Sequence, residues 1–393
     1  MIRLDGHRDR SKFPPREGDG FQVDLDSEKF VKIWHGPNHP GITGNMSLEL
    51  TISGDEVVDA TTHVGYLHRG FEKLMERRRY IQCFPIVCRI CVPEPDFNEY
   101  CFAAAVEELA GVEVPDSALW LRTLVLEMAR LTSYLMWLGG QAGAFGMGVI
   151  GQWLTYHRDL VLDRFEELTG GRIYHMYILP GGVRNRLPEG FDQRMLAVLR
   201  GIEDVMADVD QALFHNAVFR KRAEGLGVIP RDWVDPYGIT GPNARAAGAA
   251  RDVRRDMPYL KYPELEFEPV IHHQSDAFGR ADLRRRDLLL TVDLIRQILS
   301  RMPRSGSFMA RLPNVLHWQV PPGETYVRSE CTRGEYGYYL VSDGSGYPRR
   351  VNVRGPSYTH AIALLEKLLP GTNIADVAGL AVSLHTYPPE IER

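Results

Sequence analysis

The sequence predicts an α+β protein, mostly α: a central helical bundle flanked by small antiparallel β elements drawn from both ends of the chain. Three features predict it. Segments that alternate apolar and polar residues lie before residue 64 and after residue 320. From Leu67 to about Met302 the apolar residues recur mostly at helical spacing. Turn residues, Ser53-Gly54-Asp55 near one end and Asp343-Gly344 near the other, separate the alternating runs.

Taken in order, residues 1–28 are charged and rich in turn formers, and they read as an extended arm. Phe30–Trp34, Ser47–Ile52 and Val57–His63 read as strands, the last two forming a hairpin. Helices are expected over Asn98–Leu109, from an N-cap at Asp116 onward, and over Gln152–Thr169, Glu189–Asn216 and Leu283–Arg301. Leu121, Leu124, Val125 and Met128 give the second of these its apolar face. Ala217–Pro263 mixes Gly, Pro and Arg, as loops with short helices do. Thr325–Cys331, Tyr336–Ser342 and Arg349–Val353 alternate like strands, followed by helices over Tyr358–Leu369 and from Ile374. The expected organisation is one domain over 29–393, with a hairpin region at 29–66, a bundle at 67–320 and a C-terminal β/α region at 321–393.

Leu131 to Tyr156 carries no Asp, Glu, Lys or Arg and is long enough to span a bilayer. It also holds six glycines, each costing about 1 kcal/mol inside a helix, and Gln141 and Gln152. The end of a buried helix, a Gly-rich turn and a new helix near Gln152 fit better than a span. The net charge of −5 argues against nucleic acid as the main partner. Five cysteines, an odd number in 393 residues, do not make a disulfide framework and point to a reducing, cytoplasmic setting. The N-terminus lacks the apolar stretch of a secretory signal. Neither a phosphate-binding glycine loop opening a helix nor a serine-nucleophile elbow is present.

Cys88-Arg89-Ile90-Cys91 is half of a metal-site pattern: Cys83, Cys101 and Cys331 are not spaced to complete it. Arg89, set among Val87, Ile90 and Val92, needs a partner if buried. Glu94, Asp96 and Glu99 could relay protons or bind a cation, or simply complement a helix N-terminus. His39, in the loop HGPNHPGITG at 35–44, could hold a polar head group or cap a turn. His68 and Arg69 precede an amphipathic helix, where Arg69 is either an electrostatic partner for a cofactor or a surface ion pair. Tyr174, His175 and Tyr177 lie amid apolar residues and must be hydrogen-bonded if buried.

These stretches together resemble one family, the D-type subunits of respiratory complex I (NADH–quinone oxidoreductase), related to the large subunit of [NiFe] hydrogenases. The resemblance rests on GPNHP at 36–40, VGYLHRGFEKL at 64–74, NEYCFAAAVEELAG at 98–111, YILPGGVRNRLP at 177–188 and RGEYGYYLVSDGSGYPRR at 333–350. The chain-final Glu392-Arg393 is also similar to the family's ending. RICVPEPDFNE and RIYHMYILPGGV look closest to the branch found in deazaflavin-dependent dehydrogenases of methanogens. The resemblance implies a hydrogenase large-subunit-like fold and a peripheral position, without a transmembrane segment, on the cytoplasmic side of the cell membrane. It implies a B-type iron–sulfur partner carrying a [4Fe–4S] cluster, and neighbours of the C, I and membrane-embedded H types. A quinone pocket would lie between this chain and the iron–sulfur partner, and NAD would be used elsewhere in a proton-translocating complex.

The same resemblance assigns residues. In the hydrogenase register the N-terminal ligand pair falls on Cys91 and Glu94, and the ending GLAVSLHTYPPEIER has no cysteine for the second pair. A nickel–iron centre is therefore not expected, and no metal ligands are assigned. The family's quinone-binding histidine falls on Thr43, its quinone-facing tyrosine on Val92, and the aspartate associated with that histidine on Ala144. His39 matches the other loop histidine, and Arg69 the arginine near the partner's cluster. The histidine near that cluster falls on Tyr174, with His175 beside it. The expected pocket thus comprises His39, Thr43, Val92, Glu94 and Asp96, with His68, Arg69, Arg89, Tyr174 and His175 towards the cluster. Losing imidazole and phenol donors removes stabilisation of a reduced head group, so a lower-potential quinone such as menaquinone is expected. The alternatives are a catalytic [NiFe] hydrogenase subunit and a scaffold with no bound acceptor.

Overall fold

The alternating N-terminal runs pair as the sequence suggests, because each buries one face and leaves the other polar. The computed structural model describes residues 30–38 and 46–393, so His39 and Thr43 lie outside the described residues. β1 (Val31–His35), β2 (Ser47–Ser53) and β3 (Glu56–His63) form an antiparallel sheet in that order, with Leu50 opposite Ala60. Met46, Leu48, Leu50, Val57 and Ala60 turn inward against Leu364, Leu365, Leu369 and Leu380 from the far end of the chain. Thr62 fixes this junction, its N–H donating to Glu366 Oε1 at 2.8 Å.

Two short helices follow, α1 (Phe71–Met75) and α2 (Tyr80–Val87), then α3 (Pro95–Ala110), α4 (Asp116–Ala144) and α5 (Gly148–Thr169). α3 begins three residues before its expected start: Pro95 takes the first helical position, where a missing N–H costs nothing. Asp116 is the first helical residue of α4, not its N-cap; Pro115 takes that place. The expected glycine-rich turn is shorter than predicted, since α4 runs on to Ala144 through three glycines. The reason is packing. A Cβ on Gly139 would lie 3.0 Å from the Gly151 Cα, so both positions must be bare for α4 and α5 to touch backbone to backbone.

The two-residue strands β4 (Ile178–Leu179) and β5 (Gly182–Val183) precede α6 (Phe191–Val209), which passes into a π turn at Asp210–Phe214 instead of running on to Asn216. α7 (Ala217–Ala223), α8 (Gly241–Ala246) and α9 (Val253–Asp256) are the short helices of the Gly/Pro/Arg region. α10 (Ala277–Arg301) starts earlier than the apolar spacing indicates, because Asp276 caps it by accepting from Gly279 N–H at 2.8 Å. β6 (Gly323–Cys331), β7 (Gly334–Ser342) and β8 (Pro348–Arg354) form the second three-stranded sheet. The expected helix at 358–369 is a π turn followed by α11 (Leu365–Leu368), and α12 (Val377–Ser383) and α13 (Pro389–Glu392) end the chain.

A buried ionic network ties the second sheet to the bundle. Arg245 Nη1 lies 2.7 Å from Glu330 Oε1, and Arg245 Nη2 lies 2.5 Å from Asp287 Oδ2. Arg254 pairs with Asp252 at 2.8 Å and Arg130 with Glu127 at 3.1 Å. Three guanidinium groups thus meet four carboxylates in the core. Burial and the Asp252 charge raise Glu330 to about 7, which lets a proton balance the fourth negative charge. Among the described residues no helix is long and apolar enough to cross a membrane.

Candidate functional site

The Cys88–Glu94 segment is the hinge between α2 and α3, wound in tight turns in which Arg89 N–H reaches Ile86 O (3.0 Å) and Ile90 N–H reaches Val87 O (3.2 Å). All five cysteines are free and buried. The two of this segment face different partners. The Cys88 thiol meets Pro85 O at 3.5 Å and Arg89 Nη1 at 3.2 Å. Burial, reinforced by the Glu99 charge, pushes it up to about 12. Cys91 instead receives a hydrogen bond from Arg333 Nη2 at 2.8 Å. Burial raises that thiol further, against the pull of the guanidinium.

Arg333 comes from an unusual place. β6 and β7 are joined by the two-residue turn Thr332-Arg333, and both residues are buried. A hairpin tip is ordinarily solvated; this one is driven into the protein. The approach is so close that a Cβ on Gly241 would lie 2.3 Å from the Gly334 Cα. The guanidinium meets Glu94 Oε2 at 2.6 Å and Glu390 Oε2 at 3.1 Å, with every side chain at 1% exposure or less. Thr332 N–H donates to Glu94 Oε1 at 2.9 Å, and Ser357 N–H to Glu390 Oε1 at 3.0 Å. Cys91, Glu94 and Glu390, from two distant parts of the chain, therefore converge on one organic cation.

Asp96, in the first turn of α3, is equally buried, and both its oxygens face His175 Nδ1, at 2.9 and 3.0 Å. Burial alone lowers the imidazole, but the Asp96 carboxylate outweighs it and the net shift is upward. The ring stacks on Phe165 at 3.9 Å between centroids. Glu99 accepts N–H groups from Met176 (2.7 Å), Tyr177 (2.9 Å) and Ile178 (3.1 Å), clamping the segment after His175 to α3. Burial and the Asp96 charge push Glu99 upward.

In front of this buried layer lies a half-exposed face. Arg89 stacks over the Tyr174 ring at 4.8 Å, and Arg69 donates to Arg89 O at 3.2 Å. Val92, Tyr174 and Arg89 are half-buried, while His68 and Arg69 are exposed. The chain end holds the loop that carries these two. Glu392 accepts from Gly65 N–H at 2.6 Å and Leu67 N–H at 2.5 Å, and its carbonyl meets His68 Nδ1. Arg393 Nε reaches Glu72 Oε1 at 2.9 Å.

Measured against the sequence expectations, Arg69, Arg89 and Tyr174 adjoin one another, Val92 is half-buried, and His68 is joined to the chain end. Glu94 and Asp96 do not present free carboxylates to a pocket: each is buried against its own cation, Arg333 or His175, because an unpaired carboxylate there would be too costly. His175 turns inward to Asp96, not outward beside Tyr174. Sequence reasoning missed Arg333, Tyr387, Glu390 and Glu392. Arg333 opens the stretch RGEYGYYLV, and its position in a tight hairpin between two strands was the available signal. Glu390 and Glu392 lie in an ending read for its lack of cysteine and, at Glu392-Arg393, for its similarity to the family, without a role for either carboxylate.

Fold and sequence together place the chain among the oxidoreductase subunits of respiratory complexes. More particularly, it belongs to the family described as respiratory-chain NADH dehydrogenase, 49 Kd subunit, whose model matches residues 144–393. It is 43% identical over 365 residues to the NADH-quinone oxidoreductase D subunit of Thermosipho melanesiensis, covering 92% of this chain and 99% of that one. It is 35% identical over 372 residues to the F(420)H(2) dehydrogenase D subunit of Methanosarcina mazei, covering 94% and 99%. A chain in the solved structure of the membrane-bound sulfane sulfur reductase, an archaeal respiratory membrane complex, superposes with a TM-score of 0.91 at 42% identity, covering 94% of this chain and 100% of that one.

Proposed function

We propose that this chain is the D-type component of a membrane-associated, ion-translocating respiratory complex. In this reading it forms, with a B-type iron–sulfur partner, the pocket in which a quinone is reduced. The observation that carries the reading is the grouping of Arg69, Arg89 and Tyr174, with Arg89 close along the chain to Cys91 and Glu94, which the buried Arg333 holds. Reduction of a quinone to a hydroquinone takes two electrons and two protons. The partner's [4Fe–4S] cluster would supply the electrons. This chain's part is electrostatic: two accessible guanidinium groups favour both the reduced cluster and negative charge developing on the acceptor oxygens.

The buried cluster supports an organic acceptor over a nickel–iron centre. Cys91 and Glu94, the positions matched to hydrogenase ligands, are both engaged by Arg333. A positive side chain among those donors would repel a metal cation. The relatives are named for different reactions, an NADH–quinone oxidoreductase, an F(420)H(2) dehydrogenase and a sulfane sulfur reductase. A shared component among them is consistent with a donor oxidised elsewhere in each complex.

Menaquinone is the expected acceptor, because Thr43, Val92 and Ala144 offer no ionisable donor. Extraction of quinone from the purified complex tests this: menaquinone supports it, and ubiquinone overturns that choice. Stoichiometric nickel would overturn the organic-acceptor reading. A second reading, favoured by the 42% identical relative, is a small sulfane-sulfur acceptor at the same face. A complex that carries no quinone yet reduces a polysulfide would establish it.

A further inference from the structure

We infer that the hydroxyl of Tyr387 is a ligand-binding donor in this pocket, directed at a carbonyl oxygen of the quinone head group. The inference rests on the quinone reading above. Its basis is the placement of one side chain. Tyr387 lies between α12 and α13 in a run where His385, Thr386, Pro388, Pro389 and Glu390 are all buried, and it alone from 385 to 390 is half-exposed. Its ring lies 5.7 Å from the Arg333 guanidinium carbon. Its backbone N–H donates to Ser357 Oγ at 2.8 Å. The Val92 backbone amide, Cys91 and Tyr174 all lie near enough to its phenol group to influence the proton it carries.

Three consequences follow from these contacts. First, the phenol stands beside Val92, whose own side chain supplies no donor, so a polar group enters this part of the face from the chain's end. Second, a half-exposed phenol carries a proton that it can donate to an acceptor oxygen. Burial holds the group above its ordinary pKa, so that proton is retained at neutral pH. Third, Pro388 and Pro389 fix the backbone directly after it, which limits the motion of the donor and favours a defined hydrogen-bond direction. Arg89, Tyr174 and Arg69 would then meet the acceptor from the partner's side and Tyr387 from the core side. The menaquinone choice would rest on Thr43 and Ala144 alone, since one phenol is restored.

Tyr387→Phe separates this role from packing, because it keeps the ring over Arg333 and removes only the hydroxyl. The test uses the intact purified complex and menadione, the head group of menaquinone, as probe. Its dissociation constant is measured for the parent and variant complexes, and a photoreactive menadione maps contacts at 86–96 and 384–390. The expected result is binding by the parent and about tenfold weaker binding by Tyr387→Phe, the size of one hydrogen bond. The thermal midpoint of the variant should match the parent. An unchanged dissociation constant in a parent complex that binds and labels at 86–96 overturns the role of Tyr387 and leaves the quinone reading standing. A parent complex that neither binds menadione nor labels there overturns both.

Discussion

Arg333 and Glu94 meet at 2.6 Å from the tip of a β hairpin and the N-cap of α3, with neither side chain exposed beyond 1%. The same guanidinium holds Cys91 and Glu390, so one residue joins the hinge after α2, the second sheet and the chain end. Removing it would leave two carboxylates buried without a counter-ion.

Arg333→Met should therefore cost about 3–5 kcal/mol of stability, the range for breaking a buried ion pair from one side. Denaturant unfolding of the variant in its complex measures it. Arg333→Met combined with Glu94→Gln and Glu390→Gln should recover part of the loss, since the uncompensated charges go as well. A loss below about 1 kcal/mol in the single variant would mean that water reaches these carboxylates.

His175 and Asp96 give a prediction with a sign in pH. The folded-state pKa of His175 is raised, so its stabilising contribution is complete below the ordinary histidine value and is lost as pH rises through the folded one. The thermal midpoint should fall on the alkaline side of about 6.5. His175→Gln should flatten that part of the curve while lowering stability at about pH 6, where the imidazolium is present. An identical alkaline slope in the variant would assign the effect to another group.

Glu330 titrates in a separate window. Its folded value, raised to about 7 by burial and by Asp252, exceeds the ordinary carboxyl value of 4.5. Its contribution is thus complete below that ordinary value and declines as pH climbs towards the folded one. Glu330→Gln removes the titration, so the stability profile between those limits should become shallower. The same unfolding series at closely spaced pH values reads both this effect and that of His175.

Legibility in the sequence followed the range of the interactions. Alternation and helical spacing are local, and they located both three-stranded sheets and the long helices α3, α4, α5, α6 and α10. Boundaries moved where a local rule met a tertiary one. Gly139 looked like a helix breaker, yet contact with Gly151 makes it the place where two helices meet. At the site, Arg69, Arg89, Tyr174 and Val92 could be grouped through the family resemblance. Arg333 lies far from Glu94 in sequence, and no periodicity links a hairpin tip to a helix N-cap. Tyr387 was hidden in the same way, far in sequence from Arg333 and Ser357, and the role of Glu392 was hidden because its partners are backbone N–H groups, which carry no residue-specific signal.

The chain end yields the last prediction. Glu392 satisfies the N–H groups of Gly65 and Leu67 in a loop that lies between β3 and α1 and carries His68 and Arg69. Each of these hydrogen bonds involves a charged acceptor, but Gly65 is exposed and can turn to water, which reduces the penalty. Glu392→Ala should cost about 1 kcal/mol locally and leave global unfolding nearly unchanged. Amide hydrogen exchange at 65–68 should accelerate by roughly fivefold to tenfold, the factor that such an energy sets. Because Arg69 leaves this loop to reach Arg89 O, the proposed function adds that the reduction potential of a cluster carried by the partner should fall in the same variant as the positive charge loosens. Faster exchange with an unchanged potential would show that Arg69 is held by Arg89 and Phe71 alone, and that the chain end serves the loop without reaching the face.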